Sequence, residues 1–206
     1  MLIGLFIFNN LTFIILDSLP PFVSSMSFTE ETPTDRKVAS GPQMNTLYSD
    51  PDFLAPDPEC VNEKVNTGNV IFNWGGVKIA KISGEVVVKF GSHVTISEAK
   101  NMVFVKKNTE NVPVPKVFAY YSYGPIHRDT DDYGSLYDTY IFMSFVEGQC
   151  LDRVWESYDE TTKNRIASQL KGYFHELRNI DSDNYIGSVD LGPVTDPILE
   201  SHHMKG

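Results

Sequence analysis

The fold is decided by residues 85–104, EVVVKFGSHVTISEAKNMVF, which join a strand pattern to a helix pattern. Three consecutive valines, residues 86–88, favour a strand that apolar groups cover on both faces. Lys89 interrupts this run at a position where a charge is costly unless it has a partner. Glu98, in the helix that follows, is the available partner, so the segment predicts an ion pair between strand and helix.

This pair of residues has a known chemical use. Kinases hold the α- and β-phosphates of ATP with a strand lysine that a glutamate on the next helix orients. Two other interpretations remain open from these residues alone. Lys89 could end its strand in solvent, and Glu98 could complete a capping box with Thr95 by bonding back to the helix start.

Two further segments extend the pattern along the chain. NVPVPKVFAYY, residues 111–121, is typical of a proline-punctuated entry into a strand, and DTYIFMSFVEG, residues 138–148, of an apolar strand that stops at glycine. This order of elements resembles the amino-terminal lobe of the aminoglycoside phosphotransferase family, especially its fungal members. The resemblance continues through YIGSVDLGP, residues 185–193, to DPIL, residues 196–199, and covers roughly residues 70–200.

The patterns predict an α+β protein. The resemblance implies a protein-kinase-like amino-terminal lobe that is followed by the first helices of an incomplete helical lobe. The lobe has a five-stranded antiparallel sheet and one helix. Strands are expected at Val70–Trp74, Val77–Ile82, Glu85–Phe90, Lys116–Ser122 and Thr139–Phe145, and helices at Ile96–Lys107 and Glu160–Asn179. The corresponding domains are an unstructured leader at 1–65, an ATP-binding lobe at 66–148 and a partial helical lobe at 149–206.

The leader begins with an apolar segment, Leu2–Leu16, that contains polar residues and is shorter than the roughly 20 residues that span a bilayer. No basic residue precedes it, as one would in a secretory signal. We therefore expect no stable membrane insertion and a cytoplasmic protein. The alternative is a secreted or membrane-associated protein if Leu2–Leu16 acts as a targeting segment, and Met26 is an alternative start.

The resemblance also assigns residues to a nucleotide site. Met143 would guard the back of the adenine pocket, and Ser144 and Val146 would contact adenine through their backbone groups. Gly75 and Gly76, between the first two predicted strands, would let backbone amides approach phosphate oxygens. The open alternatives are an ordinary core strand around Met143 and an ordinary hairpin at the two glycines.

Two tripeptides imitate catalytic motifs of protein kinases: His-Arg-Asp at 127–129 and Asp-Leu-Gly at 190–192. Their order is wrong, because the catalytic loop must follow the strand that holds adenine. Asp129 is therefore interpreted as a loop residue and Asp190 as part of a turn. Nothing after Glu160 matches the family's catalytic and magnesium-binding aspartates, so the sequence predicts no catalytic and no metal-binding residue; Mg²⁺ would act only in an intact relative.

Composition limits the partners. The 206 residues carry a net charge of −10, which disfavours nucleic acid because phosphate backbones require clustered Lys and Arg. Cys60 and Cys150 are expected to be unpaired thiols.

We expect an ATP-binding but inactive phosphotransferase-like chain that self-associates through an exposed helical face. The alternatives are a non-catalytic interaction module and a gene-model fragment of an intact small-molecule kinase.

Overall fold

The computed structural model describes residues 41–128, 135–149, 151–181 and 187–192. Within these ranges the chain forms six strands, four α-helices and one short 3-10 helix. The strands are Gln43–Ser49 (β1), Val70–Trp74 (β2), Val77–Lys81 (β3), Val86–Gly91 (β4), Val117–Gly124 (β5) and Asp138–Ser144 (β6). The α-helices are Pro58–Lys64 (α1), Ile96–Asn108 (α2), Leu151–Val154 (α3) and Glu160–Arg178 (α4), and the 3-10 helix is Trp155–Ser157.

All six strands belong to one sheet, in the order β1-β5-β6-β4-β3-β2. Every neighbouring pair is antiparallel. The α+β class and the antiparallel sheet are therefore confirmed. The five predicted strands and two predicted helices each begin and end within two residues of the observed elements. The predicted strand count is wrong, because the structure adds β1 at one edge of the sheet.

The chain before residue 65 is also more regular than the sequence predicts, since β1 and α1 replace part of the expected unstructured leader. β1 pairs with β5 along its length, and Tyr48 stacks on Tyr120 with ring centroids 5.6 Å apart. α1 begins at Pro58 after Asp57, whose carboxylate accepts a hydrogen bond from the backbone N–H of Cys60 at 2.7 Å. Residues 1–40, including Leu2–Leu16, lie outside the described ranges, and the division of the chain at 65 and 148 stays a prediction.

The two faces of the sheet are covered differently. On the face that we call the α1 face, Val61 of α1 packs on a buried aromatic cluster, and the Tyr121 hydroxyl donates to Pro56 O at 2.9 Å. Burial in this cluster raises the pKa of Tyr121 above its ordinary value. On the opposite α2 face, Ala99 of α2 packs among Val77, Val94, Val117, Tyr120 and Ile141. Both faces of β4 are thus withdrawn from water, as its apolar run predicts.

α4 is amphipathic, as predicted, and Ile166 on its apolar stripe is only 1% exposed. The carboxylate of Glu176 accepts hydrogen bonds from the backbone N–H groups of Glu110 and Asn111, the latter at 3.1 Å. These bonds tie α4 to the loop that follows α2, and they lower the pKa of Glu176. Among the helices of the described ranges, none is long and apolar enough to cross a membrane.

Candidate functional site

Lys89 and Glu98, the two residues on which the sequence prediction rests, are in contact. The Lys89 ammonium forms an ion pair with Glu98 Oε2. Lys89 is 4% exposed, whereas the side chain of Glu98 is 26% exposed. In the sheet Lys89 lies between Ile79 and Ile141, so its ammonium emerges from an apolar surface where a neighbouring carboxylate is needed. The interpretation of Lys89 as a strand end in solvent is wrong.

Ala99, the residue after Glu98 in α2, is fully buried against the strands, so this turn of the helix lies on the sheet. The helix begins after Thr95, whose side chain makes no hydrogen bond to the helix start. The side chain of Glu98 points to Lys89 and the reciprocal bonds of a capping box are not formed. Glu98 therefore forms a tertiary ion pair with Lys89 and does not complete a capping box with Thr95.

An apolar cluster adjoins the ion pair on the α2 face. Met143 of β6 lies opposite Val87 of β4, and the two form a buried cluster with Ile79. Val87 and Lys89 are two residues apart on one strand, so their side chains leave the same face. Met102 and Phe145, which are partly buried, border the cluster. Met143 thus belongs to a cluster on the same face of the sheet as Lys89, while its role in adenine binding stays a prediction.

The backbone groups of Ser144 and Val146, at and after the end of β6, differ in their hydrogen bonding. The Ser144 N–H donates to Lys116 O at 2.8 Å, and its hydroxyl accepts from the Lys116 N–H at 2.9 Å. The amide of Ser144 is therefore already used within the sheet. The N–H and C=O of Val146 bond to no other part of the chain that the structure describes. Of the two residues that the resemblance assigns to adenine, Val146 is the one whose backbone groups have no partner within the described residues, and its contact with adenine stays a prediction.

The two candidate phosphate-loop glycines form the turn of the β2-β3 hairpin. Gly75 and Gly76 have φ of +58° and +71°, and Trp74 pairs with Val77 across them. Positive φ at both central residues is the geometry of a tight type I′ turn, for which glycine is favoured. The alternative of an ordinary hairpin is therefore confirmed as geometry. A role of the same turn in binding phosphate stays a prediction.

These features lie in sequence along β4. Val86 is opposite Ser144 at the end where β6 stops, Lys89 follows about 10 Å further on, and Gly91 lies about 7 Å beyond Lys89. Gly91 touches the backbone of Gly76. The order along the strand is thus the backbone of Val146 after β6, the apolar cluster, the ion pair and the glycine turn.

His93, which sequence reasoning passed over, reaches the glycine turn from the loop after β4. Its Nδ1 lies 2.7 Å from Gly75 O, and its backbone N–H donates to Gly76 O at 3.3 Å. No local pattern marks this residue, because the contact joins segments that are 18 residues apart in the chain.

Of the two kinase-like tripeptides, the second lies in a turn. The Leu191 N–H donates to Ser188 O at 3.0 Å, and Asp190 accepts from the Ser188 hydroxyl, as the turn interpretation predicts. Asp190 also pairs with Lys100 of α2, and these two bonds lower the pKa of Asp190 to about 2. Asp129 of the first tripeptide lies outside the described residues.

Within the described ranges no three His, Cys, Asp or Glu side chains lie together as metal ligands. Cys60 is exposed and its thiol is free, while Cys150 falls outside those ranges. The Arg128 guanidinium pairs with Asp138 at 3.0 Å, which fixes the chain just before Asp129.

Comparisons with known proteins do not assign the chain to a family. No family model matches it, and neither the curated proteins nor the solved structures give a match. The resemblance to aminoglycoside phosphotransferases therefore rests on the sequence patterns described above and stays a prediction.

Proposed function

We propose that the chain binds ATP in a kinase-like manner, with Lys89 and Glu98 as the clamp for the α- and β-phosphates. The observation that carries this proposal is the ion pair between a lysine that is 4% exposed and the glutamate of the next helix. Burial of a lysine in an apolar sheet face is costly, and two apolar side chains would serve folding as well. A pair kept at such a position is a candidate for function.

The surroundings of the pair support a nucleotide as the ligand. An apolar cluster at Ile79, Val87 and Met143 lies on one side of Lys89 and suits a base. Beyond it, the backbone of Val146 can exchange hydrogen bonds with the edge of an adenine. The glycine turn lies on the other side of Lys89, at the end where the terminal phosphates of such a nucleotide would be.

Phosphoryl transfer is a separate matter, and we propose that this chain does not catalyse it. Transfer needs an aspartate that orients the acceptor and a metal that neutralises charge on the phosphates. Neither aspartate has a counterpart after Glu160. For the residues in this sequence, the proposed activity is therefore weak ATP binding without phosphoryl transfer.

The proposal is tested by titrating the purified chain with ATP in a calorimeter, with and without Mg²⁺. We expect saturable binding that Lys89→Met and Glu98→Gln each weaken at least about 10-fold, since each removes a charge-assisted contact. Lys78→Met is the matched control, because Lys78 lies on the neighbouring strand and faces Phe90 on the opposite sheet face. Equal affinity of the wild type and Lys89→Met would remove Lys89 from the site.

A second candidate, a non-catalytic interaction module, is favoured by the edge strand β2. Ile71 and Trp74 are 53% and 79% exposed, and no charged residue lies in Val70–Trp74 to discourage pairing with another strand. This surface differs from the α4 stripe that the sequence predicts for self-association, where Ile166 is buried. Light scattering on the wild type and on Ile71→Lys separates the two surfaces, because only association through β2 is lost in the variant.

A further inference from the structure

The β2-β3 turn and the loop after β4 fit together through two glycines. A Cβ atom on Gly91 would lie 2.1 Å from Gly76 O, and one on Gly76 would lie 2.4 Å from His93 Nδ1. Both distances are far below any real contact, and both residues have positive φ, at +136° and +71°. The backbones of Gly91 and Gly76 therefore approach each other as closely as only glycine permits, and the His93 ring lies where a side chain at Gly76 would be.

His93 closes this contact with two hydrogen bonds. Its backbone N–H donates to Gly76 O at 3.3 Å, and its Nδ1 lies 2.7 Å from Gly75 O. Because a carbonyl oxygen only accepts, Nδ1 must carry the hydrogen. One residue of the strand-to-helix loop thus holds both carbonyl groups of the turn.

This arrangement also sets the direction of a backbone donor. The peptide between Gly75 and Gly76 is planar and trans, so the Gly76 N–H points away from the carbonyl that His93 holds. A free glycine turn on an edge strand would sample many orientations of this N–H. His93 restricts them, and it does so from a loop that begins at Lys89's own strand and ends at the helix of Glu98.

We propose that His93 is a positioning residue, which clamps the glycine turn to the segment that carries the Lys89-Glu98 pair and so slows the release of a bound nucleotide. This inference rests on the proposed function for its ligand. The contact of His93 with the glycine turn is a property of the free protein, and it can be measured without any nucleotide.

The test compares His93→Asn with His93→Leu. The Asn amide can place a donor close to the position of Nδ1, whereas Leu has nearly the same shape and no donor. In the free protein, amide hydrogen exchange of the peptide that spans 70–79 should be about 5-fold faster in His93→Leu, the effect of one lost hydrogen bond, and near wild type in His93→Asn. Exchange across β6 should be equal in all three proteins, which checks that they fold alike.

The second measurement is the dissociation rate of a fluorescent ATP analogue in stopped flow. It should rise about 5-fold in His93→Leu and stay near wild type in His93→Asn. If amide hydrogen exchange of residues 70–79 is unchanged in His93→Leu, His93 does not restrain the glycine turn and the inference is overturned. Faster exchange with unchanged dissociation overturns the positioning role alone, and a wild type that binds no ATP overturns the proposed function together with that role.

Discussion

Because Lys89 and Glu98 are buried to different extents, removing the charge of one should lower the free energy of unfolding more than removing the charge of the other. Glu98→Gln takes a negative charge away from an ammonium that is 4% exposed and cannot turn to water. Lys89→Met leaves a carboxylate that is 26% exposed and can be hydrated in place. We therefore predict that the glutamate substitution destabilises the fold more than the lysine substitution.

The magnitudes follow from the same geometry. Breaking a buried ion pair at one side costs about 3–5 kcal/mol. We expect about 3 kcal/mol for Glu98→Gln, the lower end, because the Gln carbonyl still accepts from the lysine. Lys89→Met should cost about 1 kcal/mol, the effect of an ordinary lost hydrogen bond. The double variant should lie within about 1 kcal/mol of the wild type, since joint replacement of a buried pair is close to neutral.

Urea unfolding, followed by tryptophan fluorescence, measures these differences. A loss of about 3 kcal/mol moves the midpoint down by about 1–3 M. Lys78→Met serves as the control for loss of a lysine from the sheet, and the double variant completes a cycle that isolates the pair. If Lys89→Met proved more destabilising than Glu98→Gln, or if the double variant only added the two single costs, Lys89 would not be held as a buried ammonium by Glu98.

Three further predictions concern other parts of the chain. Lys100→Ala should return the pKa of Asp190 from about 2 toward its ordinary value near 3.9, measured by carboxyl NMR. Because the folded-state pKa is the lower one, this pair stabilises the fold above about pH 3.9 and its contribution is lost as the pH falls through about 2. The Asp57 carboxylate raises the pKa of the Cys60 thiol, so Asp57→Asn, which keeps a helix cap, should speed alkylation of the Cys60 peptide in mass spectrometry; equal rates would contradict this. No labelled phosphate should pass from ATP to aminoglycosides, choline-like alcohols or sugars, and transfer that Asp129→Asn abolishes would reinstate the rejected tripeptide.

The parts of the fold that could be predicted are those in which a local pattern has a single structural solution. Three valines followed by a buried charge define β4, and a helix that offers one carboxylate defines the partner of Lys89. Strand boundaries followed in the same way from glycine and proline. The ion pair could therefore be predicted from the sequence. The sequence does not establish whether the pair binds a nucleotide.

The missed elements fail for different reasons. β1 is an edge strand in which only Tyr48 is half-buried, so QMNTLYS has no alternation of apolar and polar residues to detect. α1 did carry a signal, since Asp57 followed by Pro58 is a common helix start. The contact of His93 with the glycine turn has no local signature, because it joins segments that are distant in the chain.

The stability cycle and the binding experiment together decide why a buried charge pair stands in this sheet. If Lys89 and Glu98 serve folding alone, the double variant that restores stability should also keep every other property of the protein. If the pair serves a nucleotide, the same variant should unfold like the wild type and bind ATP at least about 10-fold more weakly. A double variant that is stable and binds ATP normally would leave the ion pair as a structural feature. The apolar cluster around Met143 and the backbone of Val146 would then have to account for binding.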